Sequence, residues 1–176
     1  MRYGSTLDSF NAYKEAGINI SLGTDSFPPD LIRGMEAGVQ LAKIMAGTND
    51  AGDVAGYFDA ATIGGAHALR RPDLGRLQPG AQADMVAFSL GDIRDGVHDD
   101  PLRTLLLNGT ARQAVLSVVA GRTIMANGKI EGVDLGSWRA KGQELFDKMR
   151  GAYTVRDGRN RTEDELFPPV YARVER

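Results

Sequence analysis

NAYKEAGINISLGTDSFPPD, residues 11–30, decides how this chain is read. Ile18, Ile20 and Leu22 alternate with Asn19 and Ser21, the period-two pattern of a short strand. A helical pattern stops before it at Gly17, and Gly23-Thr24-Asp25 closes it. The order is helix, glycine stop, strand, then a carboxylate where strand gives way to loop. In parallel sheets and barrels, ligands and catalytic groups gather at that carboxyl end. Asp25 is therefore the first candidate for catalysis and for metal ligation. Ser26 and Phe27 follow it and would line the site mouth as candidate substrate-binding residues. A structural alternative stands beside each. A strand-end Asp also serves as a cap or turn residue, and Ser26 and Phe27 can simply shape the loop.

Working outward, Ser5 and Asp8 resemble a capping box for a helix whose Leu7, Phe10 and Tyr13 share one side. After Asp25, the two prolines Pro28 and Pro29 force a loop. Asp30 then caps a helix with Ile32, Met35, Val39, Ala42 and Ala46 as its buried stripe and Gly47 as its stop. The face carrying Met35 and Met45 reads as core rather than a cofactor box. Short helices are expected around Val54, Tyr57, Phe58 and Ala61, and again over residues 66–69. Gly64-Gly65 lacks the following Lys-Ser or Lys-Thr of a phosphate loop.

From Asp73 the pattern turns to β. A strand-like piece precedes a Pro79-Gly80 turn and a strand over residues 84–88. Pro101 opens a short helix reaching Leu107. Residues 114–120 and 123–126 are two further strands, separated by a Gly121-Arg122 turn, and Asn127-Gly128 marks a tight hairpin. Ser137 is the expected cap of a last helix with Trp138, Leu145, Phe146 and Met149 on its apolar side. The tail from Gly151 reads as extended chain whose arginines and acids compensate one another. Three segments result: 1–72, with the strand and its flanking helices; 73–136, mostly β; and 137–176, a helix and tail.

Composition narrows the class. A net charge of −2 with 25% charged residues gives no basic excess for a nucleic acid. No apolar run is long enough for a membrane span, and the first residues lack the apolar centre of a signal peptide. There is no cysteine, which excludes disulfides and thiolate metal sites and fits a cytoplasmic setting. Two histidines are present, His67 and His98. Neither shows the spacing of a metal site, so both read as structural or surface residues.

Four motifs in order carry a resemblance: GINISLGTD (17–25), FDAATIGGAHAL (58–69), GRLQPGAQADMVAF (75–88) and the Asp100-Pro101, 115–121 and Asn127-Gly128 series. Together they resemble the C-terminal part of the amidohydrolase superfamily, with chlorohydrolases and cytosine- or guanine-type deaminases as the most similar subgroup. The resemblance implies a fold of class α/β plus β. It would comprise the last strand and flanking helices of a metal-dependent (β/α)8 TIM barrel, with part of a composite β-sandwich. It implies hydrolysis of C–N bonds of amino-heterocycles, or of C–Cl bonds in a few members, by water activated on divalent zinc or iron. Asp25 matches the ligand that also accepts that water's proton. Asp84 matches a structural position at the turn into the sandwich.

The family's remaining ligands are histidines on earlier strands, and no match to those strands is found. Three protein donors are the usual minimum for such a site, so no metal is expected on this chain alone. The expected reading is an enzyme segment inactive by itself, with a catalytically dead interaction module as the alternative. A barrel strand without neighbours leaves unpaired edges. A homo-oligomer or a complementing N-terminal chain is the expected partner, besides the small-molecule amino-heterocycle of the complete enzyme; no nucleic acid or membrane is expected.

Overall fold

Gly17 ends the first helix by taking a left-handed backbone, φ 71°, its N–H donating to the Lys14 carbonyl at 3.0 Å. That helix, α1, spans Phe10–Glu15. The computed structural model describes residues 10–25, 29–97, 100–109 and 113–171, so the Ser5/Asp8 capping box lies outside the described residues. Two compact units emerge, residues 1–131 and 132–176.

In the first unit, α2 (Leu31–Ala46) starts as its sequence requires. Asp30 accepts the Arg33 N–H at 2.9 Å, and Gly47, φ 65°, closes the helix. Ile32, Met35, Val39 and Ala42 are buried and form the core with Tyr57, Leu105 and Leu106. Two expected core residues are corrected. Met45 is exposed because it falls about 100° from the stripe on a helical wheel. Ala46 lies in the exposed final turn.

Helices α3 (Val54–Ala61) and α4 (Ile63–Ala68) follow. Asp53 caps α3 by accepting the Ala55 N–H at 3.1 Å and pairs with Lys14 at 2.6 Å. Tyr57 stacks on Phe10 with ring centroids 3.9 Å apart, and its ring also fills the space beside Gly38 of α2. A Cβ at Gly38 would collide with that ring, so α2 and α3 cross at glycine distance.

Four antiparallel strands form one open meander. They are β1 (Met85–Phe88), β2 (Ala114–Val119), β3 (Arg122–Ala126) and β4 (Lys129–Ile130), hydrogen-bonded in chain order. Val86 faces Ser117, Leu116 faces Ala126 and Met125 faces Ile130. Asn127 and Gly128, both at positive φ, make the hairpin turn expected of them. The preceding turn sits one residue earlier than expected, at Ala120 and Gly121, again with both φ positive. The strand-like piece after Asp73 is a loop, closed by the Gln82 N–H on the Asp73 carbonyl at 2.9 Å. Between β1 and β2, Asp100 caps α5 (Pro101–Arg103), and a π-helical turn, Thr104–Asn108, carries Leu105 and Leu106 into the core.

The strand expected over residues 18–22 has no ladder partner among the described residues. A strand is made by its neighbours, and β1 to β4 pair only with one another. The segment leans instead on α3 and α4. The Leu22 N–H donates to the Ala60 carbonyl, and the Asn19 side-chain amide donates to the Gly64 carbonyl, each at 3.0 Å.

The second unit corrects two further expectations. Its helix α6 (Leu135–Arg156) starts from Asp134, whose carboxylate accepts the Gly136 and Ser137 N–H groups, so Ser137 is not the cap. Trp138, Leu145, Phe146 and Met149 share a side as expected, yet all are exposed. The tail is not wholly extended: α6 runs to Arg156 and α7 spans Glu163–Leu166, held by a Thr162/Glu165 capping box. Arg150 lies over the rings of both Phe146 and Phe167 and pairs with Glu163 at 3.0 Å. No described helix is long and apolar enough to cross a membrane.

Candidate functional site

Asp25 is delivered by the segment that hangs on α3 and α4. Asn19 meets Gly64 and Leu22 meets Ala60, so the segment runs antiparallel to these helices. Close approach makes this possible: the Ile20 carbonyl lies where a Cβ of Gly64 would stand. Beyond Leu22 the chain turns to solvent, and Gly23, Thr24 and Asp25 are exposed. Asp25 takes a left-handed backbone, φ 57°, a conformation that Asp adopts more readily than most residues. Among the described residues its carboxylate has no hydrogen-bond or ion-pair partner. Ser26 and Phe27 lie outside the described residues, as does His98.

His67 is placed at the other end of the segment. It lines a crevice of about 230 Å³ with Lys14, Ile18, Asn19 and Asp59, whereas Asp25 lies past Leu22. The register that positions the carboxylate thus places Asp25 and His67 toward opposite ends of the segment. A larger hollow of about 690 Å³ opens between α2, α3, β1 and α5, lined mainly by apolar groups such as Met35, Phe58, Val86 and Leu105. Asp25 is not among its lining residues, and Asp30, which is, already caps α2.

Asp84 has a structural role. Its carboxylate accepts the Ala120 N–H at 2.6 Å while the Ala83 carbonyl accepts the Gly121 N–H at 3.0 Å, fastening the start of β1 to the β2–β3 turn. The functional weight of Gly64 escapes a single-sequence reading. Gly-Gly in a helix signals a close approach, but not what approaches.

These elements match a known family. The model of the amidohydrolase family matches residues 1–132, and the chain belongs to that family. Its sequence is 41% identical over 81 residues to an 8-oxoguanine deaminase of Pseudomonas aeruginosa, covering 46% of this chain and 18% of that protein. It is 30% identical over 119 residues to a 5-methylthioadenosine/S-adenosylhomocysteine deaminase of Teredinibacter turnerae, covering 65% of this chain and 27% of that one. The structure superposes on an adenosine deaminase of Xanthomonas campestris with bound zinc at a TM-score of 0.73 and 27% identity, over 80% of this chain and 33% of that one. For an atrazine chlorohydrolase of Arthrobacter aurescens complexed with zinc, the TM-score is 0.69 and the identity 26%, over 76% of this chain and 31% of the other. The chain spans at most about a third of the length of these relatives.

The zinc of those structures can be set against the donors here. A catalytic zinc takes three protein ligands at about 2.0–2.2 Å and keeps one open position. Among the described residues no group of three or more His, Asp or Glu could hold a metal ion. The whole sequence offers two imidazoles and no thiol. The described residues of this chain do not assemble a zinc site by themselves.

Proposed function

We propose that this chain is the C-terminal segment of a metal-dependent amidohydrolase and supplies Asp25 to a site completed outside these 176 residues. Residues 1–72 are the last barrel strand with its flanking helices, 73–136 contribute to the β-sandwich, and 137–176 form the closing helix and tail. The observation that carries this reading is the match over residues 1–132, within which Asp25 stands at the solvent end of a segment locked onto α3 and α4. The reaction class is hydrolysis of a C–N bond in an amino-heterocycle, in line with the deaminases and the chlorohydrolase the chain is similar to. Ser26 and Phe27, next along the chain, border the substrate. Asp25 can serve in this role because it is exposed and has no side-chain partner among the described residues, while Asp30, Asp53 and Asp84 are occupied with capping or turn contacts.

The test is reconstitution. The chain is co-expressed with the upstream part of the Pseudomonas deaminase, and ammonia release is followed with 8-oxoguanine and with 5′-methylthioadenosine. Turnover that needs both parts and is lost in Asp25→Asn supports the proposal. A complex that turns over equally well with Asp25→Asn defeats it, and an associated but silent complex favours an assembly module.

A further inference from the structure

The sequence holds two Asn-Gly pairs, Asn108-Gly109 and Asn127-Gly128, and the fold treats them in opposite ways. We propose that Asn127 is a self-modification site. Its side-chain amide is lost to the Gly128 nitrogen and to water, and the isoaspartate that results releases β4 from β3.

The two turns differ at the attacking nitrogen. Asn127 and Gly128 make the β3–β4 turn at φ 48° and 73°, and both are exposed. The Asn127 N–H donates to the Val115 carbonyl at 2.7 Å. Neither the Asn127 side-chain amide nor the Gly128 N–H has a partner among the described residues. The space beside Gly128 is open, and glycine has no Cβ to shield its nitrogen. Asn108 is exposed too, yet Gly109 is buried, and its N–H donates to the Thr104 carbonyl at 2.6 Å where the π-helical turn ends. A Cβ at Gly109 would press on the Leu105 and Thr104 carbonyls, so the backbone there is enclosed. An amide nitrogen attacks once its proton has left, and a buried, bonded N–H keeps its proton until the turn opens.

Water is the one co-reactant the chemistry needs. The Gly128 nitrogen gives up its proton and bonds to Cγ of Asn127. The Cγ–Nδ2 bond breaks, and ammonia leaves with that proton. Water then opens the succinimide at Cγ, giving aspartate, or at the main-chain carbonyl of residue 127, giving isoaspartate. To bring Cγ onto the nitrogen, Asn127 must leave its left-handed conformation. That opening is local, because β4 is two residues long at the sheet edge and pairs only as Ala126 with Lys129 and Met125 with Ile130. Isoaspartate then routes the main chain through Cβ and Cγ. The extra backbone atom does not fit a two-residue turn, on which the register of the hairpin depends.

The purified chain is aged in heavy-oxygen water at neutral and at mildly alkaline pH, both folded and in urea. Its peptides are mapped by mass spectrometry, and isoaspartate is detected by enzymatic methylation. In the folded chain the Asn127 peptide is expected to take up label about tenfold faster than the Asn108 peptide, the factor that one buried hydrogen bond can impose. The rate should rise with pH, and the two peptides should converge in urea. Equal rates in the folded chain, or an Asn127 that converts in urea alone, overturn the proposal. Hydrogen exchange at Lys129 and Ile130 is then compared in the separated isoaspartate form and in Asn127→Asp, which keeps the ordinary main chain. Faster exchange in the isoaspartate form alone is expected, and equal exchange in the two overturns the release of β4.

Discussion

The carbonyl oxygen of Ile20 occupies the place that a side chain on Gly64 would fill. Through this contact the segment bearing Asp25 is seated on α4, so close backbone approach, together with the Asn19 amide and the packing of Leu22, sets where the carboxylate emerges. Gly64→Ala is expected to push the segment off the helix at a cost of about 1–3 kcal/mol, the range for overpacking a filled site. Gly65 has open space around it, and Gly65→Ala should be neutral or raise stability by about 0.5–1 kcal/mol through helix propensity. Urea unfolding midpoints check the pair. Equal midpoints for both variants would mean that the contact constrains nothing.

Asp84 and Ala120 tie the start of β1 to the β2–β3 turn at 2.6 Å. Asp84→Ala leaves the Ala120 N–H without its acceptor, and about 1–2 kcal/mol of stability should be lost. Asp84→Asn keeps an acceptor oxygen and should recover most of it. Amide exchange at Ala120 should quicken in the alanine variant. Unchanged exchange there would show that the neighbouring Gly121 to Ala83 bond suffices alone.

How far the sequence reveals this molecule follows from the range of each signal. Asp30, Gly47 and the Ile32, Met35, Val39 and Ala42 stripe were legible because caps and helical periodicity act within a few residues. Asn127-Gly128 was legible for the same reason. The Ser137 cap was misplaced because Asp134, three residues earlier, competes for the same N–H groups and takes them. The strand at residues 18–22 has the right alternation, but pairing needs a neighbour that local pattern cannot supply. At the candidate site, the exposure of Asp25 followed from its position after the segment. The Gly64 contact depends on which parts of the chain meet.

Asp73 gives a pH-dependent signature. The Arg71 guanidinium, bonded to it at 2.6 and 2.8 Å, holds its carboxyl down to about 2. Because the folded value lies below the unfolded one, its contribution to stability is complete above about pH 4 and fades as pH falls toward 2. Both groups are exposed, so added salt should weaken the effect. Carboxyl-carbon NMR of Asp73 should show this low midpoint, and Arg71→Gln should return it toward the ordinary carboxylate value. A midpoint unmoved by that substitution would assign the shift to backbone contacts instead.

Apolar surface is left open in each unit. Val86 is 54% exposed on β1, a strand at the sheet edge, and Ile18 is 52% exposed on the unpaired segment. Trp138 and Leu145 on α6 are 62% and 58% exposed. Exposed edges and apolar stripes of this kind favour association. Gel filtration with light scattering should show concentration-dependent self-association, and Val86→Lys should reduce it by placing a charge on the sheet edge. A monodisperse monomer at high concentration would oppose this reading.

Arg150 organises the second unit by a different means. Its guanidinium sits 5.1 Å from the Phe167 ring and 5.9 Å from the Phe146 ring while pairing with Glu163 at 3.0 Å. Phe167 also meets Tyr153 edge-on, with centroids 5.6 Å apart. A planar cation can stack on aromatic rings and bind a carboxylate together, which a lysine ammonium does less well. Arg150→Lys should therefore loosen α7 from α6 by about 1 kcal/mol, and Arg150→Ala by more because the aliphatic stem is lost as well. Hydrogen exchange over residues 163–167 should rise in that order while the middle of α6 is unchanged. Equal exchange in the parent and both variants would place the hold on α7 in the Tyr153–Phe167 contact and the Thr162/Glu165 capping box.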